Sequence, residues 1–173
     1  MSQTTKILTA FLVLLAACRP SGDLPVSDEA SALDGAWQLA EAEAIGSDGM
    51  RYPRHFQESL LLFAGDHYSM NWAGGTTAAP YYAQRFAPTD AEKVARYSSL
   101  VVNAGRFEAA NGVLTIWPDF ALVPEYVGGI GEFDYRLSGD TLDLVWRRIE
   151  AADGTPDPYT AAGVRYHYRW KRR

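Results

Sequence analysis

The stretch from Phe133 to Trp146, FDYRLSGDTLDLVW, constrains the fold more than any other part of the sequence. Apolar and polar residues alternate on both sides of Gly139-Asp140, a pair suited to a two-residue turn. With that turn, the apolar side chains of both arms share one face, and oppositely charged residues meet on the other. A slip of one residue would mix the faces, so the pattern predicts an antiparallel hairpin in a single register. The expected partners are Leu137 with Leu142, Tyr135 with Leu144, Phe133 with Trp146, Arg136 with Asp143, and Glu132 with Arg147.

Two further segments carry the same hairpin signature. Residues 106–117 centre on Asn111-Gly112, which suits a type I′ turn because that turn needs positive φ at both central residues. Residues 60–72 centre on Gly65-Asp66. The apolar residues that alternate onto one face are Phe107, Ala109, Leu114 and Ile116 in the first segment, and Leu61, Phe63, Tyr68, Met70 and Trp72 in the second.

Residues 36–44 and 164–171 also alternate, and they precede and follow these hairpins. Together the segments make about eight strands, nearly all of them neighbours in the sequence. A two-sheet sandwich and a closed barrel could both bury the apolar faces, but closure removes exposed edges and suits short sequential hairpins. The sequence therefore predicts an all-β fold, an eight-stranded antiparallel up-and-down β-barrel.

One segment, in the long crossover after residue 72, has a helical pattern instead. Thr89 and Glu92 form a capping-box signature at its start. We expect one short α-helix there, with its apolar stripe lying against the sheet. The apolar residues at helical spacing are Ala91, Val94, Tyr97 and Val101.

The amino terminus has the shape of a secretory signal peptide. Lys6 supplies a positive region, and residues 7–17 supply an apolar run that is shorter than the roughly 20 residues of a membrane-spanning helix. The run ends in Leu-Ala-Ala-Cys, which resembles the bacterial lipobox, and Cys18 is the only cysteine of the chain. The resemblance implies acylation of Cys18 and a lipid anchor in the cell envelope. Arg19, in place of an aspartate, favours the outer membrane, facing the periplasm, over the inner membrane.

The chain then divides into three parts: a signal peptide at 1–17, the lipidated cysteine with a flexible tether at 18–32, and a barrel domain at 33–173. The tether is polar and carries two prolines. Removing residues 1–17 takes away one lysine and no acidic residue, so the formal charge changes from -5 to -6. A chain this acidic is not expected to bind nucleic acid.

The barrel domain opens with Gly35-Ala36-Trp37, which looks like the Gly-x-Trp signature of lipocalins. The motifs that follow in order are Asp48-Gly49, Pro53, Ala64-Gly65-Asp66, VNAGRF at 102–107 and LSGDTL at 137–142. This set resembles the bacterial lipocalin-like domain family over residues 33–171. The resemblance implies an eight-stranded barrel that binds or carries a small hydrophobic ligand. It also implies that Trp37 closes one barrel end, with Arg169 or Arg165 packed across its ring.

The hairpin registers predict an aromatic inner face. Its rings could line a pocket for a flat or lipid-like ligand, with tyrosine hydroxyls fixing its orientation. The same rings could instead fill the small interior and leave a shallow mouth. Tyr81, Tyr82 and Phe86, in the long connection, are expected to gate that mouth. The predicted ligand-binding residues are Phe63, Tyr68, Trp72, Tyr81, Tyr82, Phe107, Tyr135, Trp146, Tyr166 and Tyr168.

The sequence carries no catalytic or metal-binding constellation. His55, His67 and His167 lack the spacing of a metal site. A nucleophile elbow, a phosphate loop and a dinucleotide fingerprint are also missing. We therefore predict a protein without enzymatic activity, cofactor or metal, whose oligomeric state stays unassigned. Two alternatives remain: a filled barrel that interacts with another envelope component, and an isomerase or cyclase, which would need a titratable group inside the barrel.

Overall fold

A computed structural model describes residues 28–173 of the chain. The predicted signal peptide, Cys18 and most of the predicted tether lie outside the described residues. The described part forms nine strands, three short α-helices and one 3₁₀ turn. In chain order these elements are α1 (Asp28–Leu33), β1 (Gly35–Ile45), β2 (Arg51–Pro53), β3 (Phe56–Ala64), β4 (His67–Gly74), α2 (Asp90–Ser99), β5 (Leu100–Ala110), β6 (Val113–Ala121), the 3₁₀ turn (Pro124–Tyr126), β7 (Ile130–Ser138), β8 (Thr141–Glu150), α3 (Pro158–Ala161) and β9 (Arg165–Arg172).

The strands form one antiparallel sheet that closes on itself. Each strand from β3 to β8 pairs with the next strand in the sequence. Strand β1 pairs with both β3 and β9 and so closes the ring. The three-residue strand β2 pairs only with the far end of β1 and stays outside the ring. Eight strands therefore make a closed up-and-down barrel, which confirms the predicted fold class.

Three tight hairpins form as the sequence predicts, because their turn residues adopt the conformations that such turns require. Asn111 and Gly112 have φ of 54° and 76°, as expected for a type I′ turn. Gly65 and Gly139, the first residues of the other two turns, have φ of 62° and 54°. The aligned inward pairs are Phe63 with Tyr68, Phe107 with Ile116, Leu137 with Leu142, Tyr135 with Leu144, and Phe133 with Trp146.

One predicted ion pair is wrong, because the hairpin of β7 and β8 contains a β-bulge. Phe133 pairs with Trp146, but Glu132 pairs with Arg148 instead of Arg147. The Nη2 atom of Arg148 lies 2.9 Å from the Glu132 carboxylate. Arg147 is therefore the extra residue on β8, a local irregularity that strict alternation does not predict.

Helix α1 corrects the predicted domain boundary. The sequence predicts a flexible tether over residues 18–32, but Asp28–Leu33 form this helix, and Ala30 and Leu33 are buried. The Leu33 carbonyl accepts a hydrogen bond of 2.9 Å from the indole nitrogen of Trp37. A helix of six residues is too short to hold by itself, so packing on the barrel is what orders it.

Helix α2 has the predicted start but not the predicted burial. The Thr89 hydroxyl accepts a hydrogen bond from the Glu92 amide, and the Glu92 carboxylate accepts one from the Thr89 amide, which confirms the capping box. The helix ends at Ser99, because β5 begins to pair with β4 at the next residue. Val94 is 64% exposed and Tyr97 50% exposed, so the expectation that this stripe lies against the sheet is wrong.

The barrel has two different ends. The three two-residue turns, at 65–66, 111–112 and 139–140, lie together at one end with α1, which we call the closed end. The longer connections between strands all lie at the other end, which we call the open end. Those connections are residues 46–55, 75–99, 122–129 and 151–164.

Candidate functional site

The half of the barrel next to the closed end is packed solid. Trp37, Phe107 and Trp170 are almost completely buried there. The ring centroids of Phe63 and Phe107 lie 4.7 Å apart, at a tilt of 59° that is typical of packed aromatic pairs. This half therefore matches the filled-barrel alternative.

A different arginine from the predicted one packs on Trp37. The guanidinium carbon of Arg172 lies 4.1 Å from the Trp37 ring centroid. Its Nη1 and Nη2 atoms donate hydrogen bonds to the carbonyls of Asp34, at 2.5 Å, and Ala32, at 2.9 Å. Arg172 therefore ties the end of β9 to the segment that follows α1.

The predicted contact of Arg169 or Arg165 with Trp37 is wrong, because both residues alternate with the inward-facing Tyr166, Tyr168 and Trp170. Arg169 instead donates to Asp143 and Glu41 on the outer surface of the barrel, at 2.8 and 2.9 Å. An outward side chain cannot reach an inward ring. Arg172 continues the inward-facing series of alternate residues on β9. It lies at the rim, so its guanidinium can cross the barrel end.

The half next to the open end contains a cavity of about 250 Å³. The cavity reaches the rim, because the exposed residues Arg54, Val123 and Tyr159 also line it. Its walls come from β4 to β9 and are mostly apolar or aromatic. The main wall residues are Met70, Trp72, Val101, Asn103, Ile116, Phe133, Trp146, Tyr166 and Tyr168.

Four aromatic residues form a continuous wall of this cavity. The rings of Tyr166 and Tyr168, from alternate positions on β9, are stacked at 8° with centroids 6.2 Å apart. Trp146 on β8 meets Tyr166 edge-on at 4.7 Å. Trp72, from β4 across the interior, meets Tyr168 at 5.8 Å. Because each ring is held by another ring, the wall presents a preformed aromatic surface.

Three residues that line the cavity carry a buried polar atom with no hydrogen-bond partner among the described residues. These atoms are the indole nitrogens of Trp72 and Trp146 and the side-chain oxygen of Asn103. Buried polar atoms are normally hydrogen-bonded. Tyr168 adds a hydroxyl whose pKa is raised far above its ordinary value by burial, so the group stays neutral at physiological pH.

Four of the ten predicted ligand-binding residues line the cavity, namely Trp72, Trp146, Tyr166 and Tyr168. Four others belong to the closed end and do not line it. Phe63, Tyr68 and Phe107 are buried in the packed half. The Tyr135 hydroxyl donates to Glu29 of α1 at 2.6 Å, and burial together with this carboxylate raises the pKa of Tyr135 to about 12.

Tyr81 and Tyr82 lie away from this cavity. They line a separate surface groove between the long connection and α2, beside the ends of β3 and β4. Tyr81 is 81% exposed, and the guanidinium carbon of Arg85 lies 4.4 Å from its ring centroid. Phe86 is 98% exposed. The structure thus does not bring these residues to the cavity wall, because α2 holds the connection outside the barrel.

Several cavity residues were missed by the sequence prediction, although the signal was present for most of them. Met70, Ile116 and Phe133 have inward parity in the predicted hairpins. Val101 and Asn103 follow if the alternation of β5 is continued upstream from Phe107, but the helical pattern before β5 obscured that continuation.

A polar cluster on the outer surface joins β7, β8 and β9. Asp143 contacts the His167 Nε2 atom at 2.9 Å, the Arg169 Nε atom at 2.8 Å and the Arg136 Nη2 atom at 3.2 Å. Burial alone would raise the pKa of Asp143, but the hydrogen bonds from these three residues outweigh burial and lower the pKa below its ordinary value. Across residues 28–173, no group of three or more histidine, cysteine, aspartate or glutamate side chains is placed to hold a metal ion.

Comparisons with known proteins give one structural match. No family model matches the chain, and no curated protein is similar to its sequence. The crystal structure of Echinococcus granulosus fatty-acid-binding protein 1 is similar at 12% sequence identity and a TM-score of 0.35, covering 82% of this chain and 98% of that one. The fold assignment above rests on the strand pairing of this chain. Within the described range, none of the helices has the length and apolar character needed to span a membrane.

Proposed function

We propose that the open half of the barrel binds one small, largely apolar molecule without converting it chemically. The observation that carries this proposal is the cavity of about 250 Å³ behind the open rim. Protein interiors normally leave few voids larger than a water molecule. At about 250 Å³ the cavity lies just below the roughly 300 Å³ at which small-molecule pockets start, so a ligand inside it must be small.

The contrast between the two halves of the barrel supports this proposal. The closed half shows that this chain can fill an eight-stranded interior with aromatic and aliphatic side chains, as around Phe107 and Trp170. The open half is lined by the same kinds of residues, yet a cavity remains beside the ring pairs Trp146–Tyr166 and Trp72–Tyr168. A preformed apolar space of this kind is the usual form of a ligand site.

A carrier or binding role fits these groups better than catalysis. The interior hydroxyls belong to tyrosines, and burial raises the pKa of Tyr168 far above neutral pH. Such a hydroxyl stays protonated at neutral pH and can orient a ligand through a hydrogen bond. The charged residues that line the cavity, Arg54 and Glu150, belong to its rim.

The test is to fill the cavity and measure binding. We expect naphthalene to bind the wild-type chain and to change the fluorescence of Trp72 and Trp146. Val101→Trp adds a ring to the wall and should abolish binding in isothermal titration calorimetry. Val94→Trp is the matched control, because Val94 is 64% exposed on α2 and does not line the cavity. Equal binding by both variants would remove the support for this function and leave the interaction role. A wild-type chain that binds neither naphthalene nor the polar and aliphatic probes named below would do the same.

We further propose that the protein is a lipoprotein of the bacterial cell envelope, anchored through Cys18 at the outer membrane and facing the periplasm. The lipobox-like Leu-Ala-Ala-Cys and the absence of any other cysteine support this proposal. Because α1 lies at the closed end, an anchor that precedes it would attach there and leave the open end facing away from the membrane.

Metabolic labelling with an alkynyl palmitate analogue in a bacterial host tests the anchor. We expect the full chain to be labelled and to sediment with membranes, and Cys18→Ser to lose both properties. Serine replacement elsewhere in the same segment, at Thr9, is the control that should keep both. Unchanged labelling of Cys18→Ser would contradict acylation at this residue.

A further inference from the structure

We infer that the cavity takes a small planar aromatic molecule that carries a hydrogen-bond donor and an acceptor on one edge, such as a lactam-bearing ring, and not an aliphatic acyl chain. This inference rests on the proposed binding function and names the chemical class of its ligand. It follows from the size of the cavity, the geometry of its wall, its unpartnered polar atoms and its charge.

The size limits the part of the ligand inside the barrel to about ten non-hydrogen atoms. A dry apolar cavity of roughly 150 Å³ accommodates benzene, which has six carbons. By proportion, about 250 Å³ accommodates one fused pair of rings. A long acyl chain has more atoms than this cavity can enclose.

The wall favours flat rings over flexible chains. Tyr166 and Tyr168 are parallel within 8°, and Trp146 and Trp72 stand against them at 61° and 60°. Aromatic faces and edges held in this way offer stacked and edge-to-face contacts to another ring. An aliphatic chain would gain from the apolar area of these rings but could not form stacked or edge-to-face contacts with them.

The unpartnered polar atoms call for a ligand with both kinds of hydrogen-bonding group. The indole nitrogens of Trp72 and Trp146 can only donate, so the ligand must offer an acceptor. The Asn103 oxygen is an acceptor, so its partner must be a donor. An amide side chain can also turn its NH₂ group to the same place, and a lactam edge, with one donor and one acceptor, satisfies either orientation.

Trp72 and Asn103 are near enough in the sheet for one small molecule to contact both residues. Asn103 pairs with Met70, and Trp72 pairs with Val101, on the adjacent strands β4 and β5. Trp72 and Asn103 are therefore diagonal neighbours on the inward face, a relation that separates the residues by roughly 7 to 8 Å. That distance is comparable with the length of a fused ring pair.

The charges at the cavity favour a neutral ligand. Its lining contains one base, Arg54, and one acid, Glu150. The Tyr168 hydroxyl inside is neutral. A carboxylate ligand would gain from Arg54 but would be opposed by Glu150, and the reverse holds for a cation. A neutral ligand with a donor–acceptor edge is repelled by neither Arg54 nor Glu150.

The experiment compares three probes of about ten non-hydrogen atoms on the full chain by NMR titration: quinolin-2-one, naphthalene and octanoate. We expect quinolin-2-one to bind about tenfold more tightly than naphthalene, the usual scale of one or two neutral hydrogen bonds, and octanoate to bind most weakly.

The Asn103→Leu variant should lose about tenfold in affinity for the lactam and keep its affinity for naphthalene. The control is Asn71→Leu, because Asn71 lies on β4 with outward parity, and it should change neither affinity. Trp72→Phe provides a second variant that removes the donor but keeps a ring.

The possible outcomes separate this inference from the function on which it rests. Three results would show that the aromatic donor–acceptor class is wrong while the cavity still binds a small molecule. Naphthalene could bind as tightly as the lactam, or octanoate could bind best. The third result is that neither Asn103→Leu nor Trp72→Phe lowers lactam affinity. If none of the three probes binds the wild-type chain, the binding function fails together with the inference. Because the ranking of the probes uses only the wild-type chain, it stands even if a variant fails to fold.

Discussion

Replacing Arg172 with methionine tests how the closed end of the barrel is held together. The guanidinium lies 4.1 Å from the Trp37 ring centroid and donates to the carbonyls of Asp34 and Ala32. Methionine keeps most of the aliphatic stem but removes the charge and both donors. We therefore expect Arg172→Met to lower the free energy of unfolding and to loosen α1.

The magnitude follows from the contacts that are lost. A hydrogen bond from a charged donor contributes about 1.5 to 3 kcal/mol, and an exposed cation–π contact about 0.5 to 1 kcal/mol. The Arg172 side chain is 29% exposed, and both acceptor carbonyls belong to exposed residues, so water replaces part of each lost hydrogen bond. We expect a total loss of about 2 kcal/mol, below the sum of the separate contributions. For a domain of this size, that lowers the midpoint of thermal unfolding by about 6 °C.

Urea denaturation monitored by tryptophan fluorescence measures the free energy of unfolding. Hydrogen exchange of the α1 amides measures whether α1 loosens. Arg169→Met is the matched control, because it removes an arginine of the same strand that makes only outer-surface ion pairs. That variant should lose about 1 kcal/mol or less and leave α1 protected. A larger loss from Arg169→Met than from Arg172→Met, or unchanged exchange in α1 of the latter, would refute the assignment of Arg172 to the barrel end.

Gly105→Ala should lower the free energy of unfolding by several kcal/mol, because its Cβ would lie 2.0 Å from the Trp117 carbonyl oxygen. Gly139→Ala has nothing within 4 Å of its Cβ and only the strain of a φ of 54°, so it should lose about 1 kcal/mol, and equal losses in urea would contradict this reasoning. Asn111→Ala should lower the free energy of unfolding by about 1 kcal/mol, since alanine tolerates a φ of 54° poorly, whereas Asn111→Gly should not lower it. An alanine variant with the wild-type midpoint of thermal unfolding would rule out backbone strain at this position. Because the pKa of Asp143 is lowered in the folded state, its contacts stabilise the barrel above its unfolded-state pKa of about 3.9, and that contribution is lost as the pH falls through the folded-state pKa. Asp143→Asn should therefore make stability less dependent on pH in acid, and urea denaturation curves that keep the wild-type pH dependence would exclude this contribution.

The architecture could be predicted from the sequence because hairpins are encoded locally. A turn such as Asn111-Gly112 sets the register of its two arms within a few residues, and the alternation beside it then decides which side chains share a face. The prediction failed where pairing is irregular, as at the bulge that moves Glu132 from Arg147 to Arg148. It also failed for α1, where a short polar segment is ordered by burial of Ala30 and Leu33 and not by its own pattern.

The candidate site could be predicted only in part, for a related reason. Alternation places Phe107 and Tyr168 on the same inner surface but says nothing about their depth along the barrel axis. Depth depends on the stagger and tilt of all eight strands together, which no single hairpin encodes. Phe107 therefore lies in the packed half, while Tyr168 lines the cavity.

The sequence by itself determined the order of the eight barrel strands, the three tight turns, and the separation of inward aromatic residues from outward charged ones. Only the tertiary structure decided that one half of the barrel is filled and the other is open, and that Arg172 rather than Arg169 reaches Trp37. The physical reason is that a period-two pattern specifies a direction for each side chain, whereas a cavity or a contact across the barrel end depends on closure, which brings together residues far apart in the chain.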